Sequence, residues 1–265
     1  MLSIVAEDIH VEFPIYDHTM RSLKHTLGLG PLAKGINRLA SGNLNVGGHI
    51  GTGETGRVVI KALDGLNFEI QEGDRIGLLG HNGSGKTTLL RTLAGIYEPV
   101  SGTMRISGRA FPLFDLQLGM DVDATGIENI WMRSKLLGLG TQQVKDALDD
   151  IADFTELGEY LHMPIRTYST GMMLRLAFAI STAITPEILI LDEMIGAGDA
   201  AFIARADARL KKFLTKAGIL VIASHAMPIL RQWCNKGMLL EHGKLIAYGP
   251  LEDVIARYTG TVPVA

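Results

Sequence analysis

The hydrophobic and polar positions divide the chain into short apolar strands, amphipathic helices and one long stretch with neither pattern. "IVAEDIHVEF" alternates in part and reads as a strand. Residues 14–57 then break the rhythm. "TMRSLKHTLGLG" has the spacing of a short basic amphipathic helix, and "SGNLNVGGHIGTGETG" is glycine-dense and reads as loop. A connection this long inside a domain is usually functional or mobile. "VVIKALDGLNFEI" reads as two strands around a turn at Asp64-Gly65. "RIGLLG" is a short buried strand, "KTTLLRTLAGI" a helix stopped before Pro99, and "GTMRISG" an edge strand. From Asp115 to Arg166 the pattern turns helical, in "ENIWMRSKLLGLG" and "TQQVKDALDDIADFTEL", as in an inserted lobe. "EILILDE" is apolar enough for a strand buried on both faces. An amphipathic helix, "AAFIARADARLKKFLTKAG", is followed by a second buried strand, "ILVIASH". "KGMLLEHGKLIAYG" is a hairpin turning near His242-Gly243, and "PLEDVIARYTG" a closing helix. Strands alternating with helices predict a layered α/β core.

Bulk properties narrow this picture. The chain has 265 residues, 47% hydrophobic and 20% charged, which suits one large domain or a domain with an inserted lobe. The net charge of −3 offers no global attraction to nucleic acid. The single cysteine, Cys234, excludes an intrachain disulfide and fits a reducing compartment. Mean hydropathy is high at +0.21, yet no apolar run reaches the roughly 18 residues of a membrane helix. The N-terminus lacks signal-peptide organisation. A hydrophobic docking surface and an aliphatic-rich core account for the hydropathy equally well.

The clearest chemistry is "GHNGSGKT", Gly80 to Thr87, which matches G-x-x-x-x-G-K-[ST] between an apolar strand and a helix. Gly83 and Gly85 let the backbone approach phosphates, and the loop N–H groups with the helix N-terminus favour an anion. Lys86 is the counter-charge for the β- and γ-phosphates, and Thr87 the hydroxyl for Mg2+. His81, Asn82, Ser84 and Thr88 complete the candidate phosphate contacts. "ILILDE" ends in Asp192, suited to Mg2+, and Glu193, suited to deprotonating an attacking water. His225 ends a third strand and is a candidate γ-phosphate sensor. Asp199 is a candidate helix cap or intersubunit contact. In "YSTGM", Ser169 and Gly171 open the helix "MMLRLAFAIST" and expose backbone N–H groups at its positive end. The P-loop of the same chain has no need of this second anion site. Its simplest use is to clamp the γ-phosphate held by a second copy, so that two nucleotides are sandwiched in a two-fold dimer.

The order of these motifs resembles the nucleotide-binding domain of ABC transporters across nearly the whole chain. Walker A lies at Gly80–Thr87, a degenerate signature at Tyr168–Met172, Walker B at Asp192-Glu193, a D-loop at Asp199 and a switch histidine at His225. "YSTGM", Met194 after Asp-Glu, "GAGDAAF" and "LFDLQLGMDVDATGIENI" are similar to the ATPase subunits of polysaccharide exporters that serve O-antigen, capsule and teichoic acid. That resemblance implies a single P-loop NTPase domain over residues 1–265. It would combine a RecA-like parallel-sheet core, an antiparallel β subdomain and a helical subdomain at about 115–183. The expected cofactors are ATP and Mg2+. The expected partners are a second copy of the chain, two copies of a membrane permease and a lipid-linked polysaccharide, with no nucleic acid. The expected location is the cytoplasmic face of the inner membrane. The resemblance makes Gln117 the Q-loop metal contact and either Phe13 or Tyr16 the ring stacked on adenine. The chain stops at Ala265, which implies no C-terminal carbohydrate-binding domain. Alternatives are an ABC ATPase for a lipid or drug cargo, or a soluble non-transport ABC ATPase. A GTPase is disfavoured because Met238 in "CNKGM" replaces the guanine-reading Asp.

Overall fold

The protein is described by a computed structural model, covering residues 1–15, 49–52, 58–114, 116–192 and 200–260. Its core is a six-stranded sheet. The first strand of this sheet, β4 (Arg75–Leu79), is buried along most of its length and follows three strands of a separate sheet. β6 (Ala110–Leu113), β7 (Ile188–Asp192), β8 (Ile219–Ala223), β9 (Lys236–Glu241) and β10 (Lys244–Pro250) complete it, in the order β10-β9-β4-β8-β7-β6. Every pairing is parallel except the β9–β10 hairpin. In β7 and β8 nearly every residue is buried, as a strand covered on both faces requires.

The second sheet is antiparallel and runs β2-β3-β1-β5, with β1 at Ser3–Pro14, β2 at His49–Thr52, β3 at Val58–Gln71 and β5 at Ser101–Ser107. Ile4, Ala6, Ile9 and Val11 on β1 join Leu63, Leu66, Phe68 and Ile70 on β3 in one core that also includes β4 and β8. The helix after the phosphate loop, α1 (Lys86–Leu93), buries Leu89, Leu90 and Leu93 in that core.

Two expectations are corrected here. β3 is one strand, not two around a turn at Asp64-Gly65. Gly65 takes φ +73°, and β1 answers with register shifts and Asp8 at φ 52°. A bulge inserts the extra residue, which lets Leu63 and Leu66 both point inward at 0% exposure. Within the stretch read as loop, His49–Thr52 pairs antiparallel with β3. Backbone pairing at an edge needs no apolar side chains, so its composition did not announce it. β6 and the short helix α6 (Met227–Trp233) were not predicted. Pro112 sits in β6, which is tolerable because β6 is the outermost strand.

The helices between β6 and β7 form a third cluster. α2 (Gly126–Leu136), α3 (Thr141–Thr155) and α4 (Thr170–Ser181) meet around Ile130, Val144, Ile151, Leu176 and Ile180. α2 starts at a reciprocal capping box: Thr125 Oγ1 accepts from Glu128 N–H at 3.2 Å, and Glu128 Oε2 accepts from Thr125 N–H at 2.8 Å. Ala177 and Phe178 on α4 reach the sheet core, so α4 belongs to both clusters. α5 (Ala200–Lys216) follows β7, and α7 (Leu251–Tyr258) follows β10. Among the described residues no helix is long and apolar enough to cross a membrane.

Candidate functional site

The phosphate loop begins where β4 ends. Gly80 has φ +142°, and a Cβ there would sit 2.3 Å from the Leu240 carbonyl oxygen. Gly85, at φ +107°, is the N-cap of α1, and a Cβ on it would lie 2.8 Å from the Ala62 carbonyl oxygen. Only glycine combines this conformation with this backbone approach. Gly243 N–H donates to Ser84 O at 3.0 Å, so the β9–β10 turn props the loop from below. Lys86 Nζ donates to the carbonyls of Gly80 and His81 at 2.6 and 3.0 Å, which holds the ammonium against the loop.

The parallel register brings other elements to the same end of the sheet. Leu78 on β4 is paired with Ala223 on β8, and Ala223 with Asp192 on β7. Thr87 Oγ1 donates to Asp192 Oδ2 at 2.9 Å. A hydroxyl and a carboxylate side by side are hard oxygen donors suited to Mg2+ held together with nucleotide oxygens. Among the described residues no group of three or more His, Cys, Asp or Glu could hold a metal by itself. Asn82, Gly83, Lys86, Thr87, Asp192, Ser224 and His225 line one cleft of about 560 Å3. Ser224 was not among the predicted residues. It is buried at 7% exposure, and its Oγ accepts from Ala226 N–H at 3.1 Å, which turns the chain after β8 and leaves His225 exposed. A hydroxyl just before the histidine in "ASH" was the available signal. His81, Asn82 and Ser84 also face a second hollow, with Glu241 and His242, on the other flank of the loop. Thr88 is half-buried on α1, where its carbonyl accepts from Thr92 Oγ1 at 2.9 Å, and it lines neither hollow.

The remaining predicted residues that the structure describes are not gathered there. Gln117 is exposed in a turn, its carbonyl accepting from Met120 N–H at 3.1 Å, and it does not line the cleft. That turn is tied down by two residues that sequence reasoning missed. Buried Arg133 donates to the Leu116 carbonyl and, at 3.4 Å, to that of Ala177. Fully buried Asn129 donates to the Asp121 carbonyl and accepts from its N–H. Phe13 packs edge-on against Tyr97, ring centroids 5.1 Å apart, beside the antiparallel core. Tyr16, Glu193 and Asp199 lie outside the described residues.

At the start of α4, Ser169 is the N-cap and its Oγ accepts from Met172 N–H at 3.2 Å. Ser169 and Thr170 are exposed, and a Cβ on Gly171 would meet only Ser169 Oγ, at 3.9 Å. Tyr168 braces this end: its hydroxyl donates to the Tyr160 carbonyl at 2.6 Å and leaves no room for a side chain at Gly126. Burial raises the Tyr168 pKa, so the hydroxyl stays protonated and keeps donating. Neither Ser169 nor Gly171 lines the phosphate-loop cleft.

Comparison with known proteins gives the family of the chain. The ABC transporter family model matches residues 63–196. The chain is 41% identical over 244 residues to the O-antigen export system ATP-binding protein RfbE of Yersinia enterocolitica, covering 92% of this chain and 96% of that protein. It is 38% identical to O-antigen export system ATP-binding protein RfbB of Myxococcus xanthus, over 78% of this chain and 47% of the relative. It is 34% identical to the teichoic acids export ATP-binding protein TagH of Bacillus anthracis, over 74% of this chain and 36% of the relative. The chain therefore spans almost all of the first relative and less than half of the other two. A solved ATP-binding subunit of an ABC transporter superposes with a TM-score of 0.64 at 18% identity, covering 99% of this chain and 95% of that one. A dimeric ATP-binding cassette in a post-hydrolysis state gives 0.61 at 17%, covering 94% and 98%. These two show the fold, an α/β P-loop architecture, and with the family match and the 41% identical relative they lead to one conclusion: the chain belongs to the ABC transporter family, as an ATP-binding ATPase subunit.

Proposed function

We propose that the chain hydrolyses Mg2+-ATP as a homodimer at the cytoplasmic face of the membrane. There it drives export of a lipid-linked polysaccharide of the O-antigen or teichoic-acid class through a separate permease. The observation that carries the chemistry is the single cleft that gathers Lys86, Thr87, Asp192 and His225 around the phosphate loop. Loop N–H groups and Lys86 take the β- and γ-phosphates, while Thr87 and Asp192 would hold Mg2+, which would supply neutralisation of phosphate charge. Glu193, one residue past Asp192, accepts a proton from the attacking water, whose oxygen bonds to the γ-phosphorus as the bond to ADP breaks. His225 steadies the γ-phosphate from the neighbouring strand end. The exposed cap at Ser169 and Gly171 supplies N–H donors to the nucleotide of the second copy, and Asp199 is assigned the role of a second contact between the copies.

The cargo rests on the relatives, two of which are named for O-antigen export and one for teichoic acids export. Leu118, Val122, Met132 and Leu136, exposed in and just before α2, supply an apolar surface for the permease. The test is paired. The purified chain should release phosphate from Mg2+-ATP, and a strain lacking the chain should regain surface glycan when it is restored. Phosphate release without glycan rescue would keep the ATPase and remove the cargo. No release in the presence of the permease would remove both.

A further inference from the structure

The Ser169 cap and the strand ending at Asp192 belong to different elements, and a joint of arginines and phenylalanines locks their helices together. Arg175 on α4 lies over the Phe202 ring of α5, 4.8 Å from its centroid, and approaches Glu156 at the end of α3 to 4.0 Å. Arg205 and Arg209 on α5 lie 5.3 and 4.5 Å from the centroid of Phe154 on α3. Arg205 also pairs with Glu156 and donates to the Phe154 carbonyl at 2.8 Å. Arg209 donates through Nε to Thr182 Oγ1 at the far end of α4, at 2.7 Å, and through Nη2 to Asp150 at 2.5 Å. Each of these contacts crosses between two of the three helices.

Arg175–Phe202 is the contact nearest both functional ends. Arg175 lies in the second turn of the helix capped by Ser169, and Phe202 in the first turn of α5, the element that follows the Asp192 strand. Phe202 is 5% exposed and the Arg175 side chain 24%, so the contact is largely shielded from water. A planar guanidinium can lie flat on the ring and still aim N–H groups at Glu156, whereas a lysine ammonium cannot do both. Arg175 does not line the phosphate-loop cleft.

We infer that Arg175 is a positioning residue for hydrolysis. Through Phe202 it ties the helix that presents Ser169 to a partner's nucleotide to the helix that follows Asp192, so the pose of the Ser169 end depends on the element that follows the metal-side strand. The inference rests on the dimeric reading proposed above. Its consequence is that breaking the contact harms turnover and spares nucleotide binding by the single chain.

The experiment compares Mg2+-ATP turnover, single-chain affinity for a fluorescent ATP analogue and melting temperature for the full chain and four variants: Arg175→Met, Arg175→Lys, Phe202→Leu and Ser169→Arg. Arg175→Met and Phe202→Leu should each lower kcat about tenfold. Arg175→Lys should fall between wild type and Arg175→Met, with affinity kept within about twofold throughout. The double variant that carries both Arg175→Met and Phe202→Leu should lower kcat no further than the worse single change, because both remove one contact. A kcat for Arg175→Met close to wild type, or an affinity that falls as far as kcat, overturns the inference. Should Arg175→Met not melt cooperatively, Phe202→Leu decides by the same criteria. Ser169→Arg separates the two ideas. If it leaves kcat unchanged, the dimeric reading fails. If it lowers kcat while Arg175→Met does not, only the positioning role fails.

Discussion

Two helix N-termini in this chain are proposed to receive an anion, and they are finished differently. α1 starts from Gly85, which has no side chain to occupy its first N–H groups, and its own chain surrounds it with Lys86, Thr87, Asp192 and His225. α4 starts from Ser169, whose hydroxyl takes the Met172 N–H, and this end is exposed and outside the cleft. The α1 end is lined by groups from strand ends that the sheet register aligns, whereas the α4 end has only its own cap. An anion site with a cation and hydroxyls of its own chain around it can bind by itself, and a bare one needs a second surface to exclude water before its N–H dipoles count for much. The contrast is what makes a two-copy mechanism economical.

The sharpest way to break the comparison is at the proposed general base. Glu193→Gln should lower ATP turnover roughly 100- to 10,000-fold while ATP binding persists and a dimer accumulates, as seen by size-exclusion chromatography with Mg2+-ATP. Unchanged turnover would remove Glu193 from its role. Next, Lys86→Ala removes the cation of the phosphate-loop site. Turnover should fall roughly 100- to 1,000-fold, and here affinity for the single chain should fall as well, measured by fluorescent-nucleotide titration. Ser169→Arg touches only the open site and should lower turnover about tenfold or more with single-chain affinity intact. Equal losses at Lys86 and Ser169 in single-chain affinity would erase the distinction between the two ends.

Two smaller effects test the framework around them. Thr125→Ala breaks the capping box of α2 and should cost about 1 kcal/mol, lowering the melting temperature by about 2–4 °C without changing affinity at the phosphate loop. Burial pushes the Cys234 thiol up to about 12. In the native chain at neutral pH it should therefore resist a thiol reagent that labels the unfolded chain quickly. The folded pKa is the higher one, so this group's contribution to stability is present below about 9 and is lost as pH rises toward about 12. A denaturation midpoint that rises over that window would contradict the burial of this thiol.

How much was legible varied with distance along the chain. The phosphate loop could be read directly, because glycines with φ above +75° and backbone carbonyls within 3 Å of a would-be Cβ leave few other residues possible at those positions. The parallel strands β4, β7 and β8 were legible from unbroken apolar runs, whereas β6, short and carrying Pro112, was not. The bulge in β3 was not, since Asp64-Gly65 serves a hairpin turn and a bulge equally well, and only the pairing of β1 on both sides selects the bulge. β2 was hidden because an edge strand can be held by backbone bonds alone. Gln117 looked like a cleft residue from its place in the order of motifs, but its turn is set by Arg133 and Asn129 reaching back from α2, and it lies outside the cleft. Nothing local in "ENIWMRS" announces that Arg133 will be buried, because long charged side chains are usually exposed.

The sequence by itself determined the caps of α2 and α4 and the alternation of strand and helix, because each depends on residues within a few positions of one another. It also marked the phosphate loop, whose backbone is then held in place by tertiary contacts with Ala62, Leu240 and Gly243. Tertiary structure alone decided that Thr87, Asp192, Ser224 and His225 share one cleft. They come from the start of α1, which follows β4, and from the ends of β7 and β8, and only the in-register parallel pairing of β4, β8 and β7 sets these places side by side.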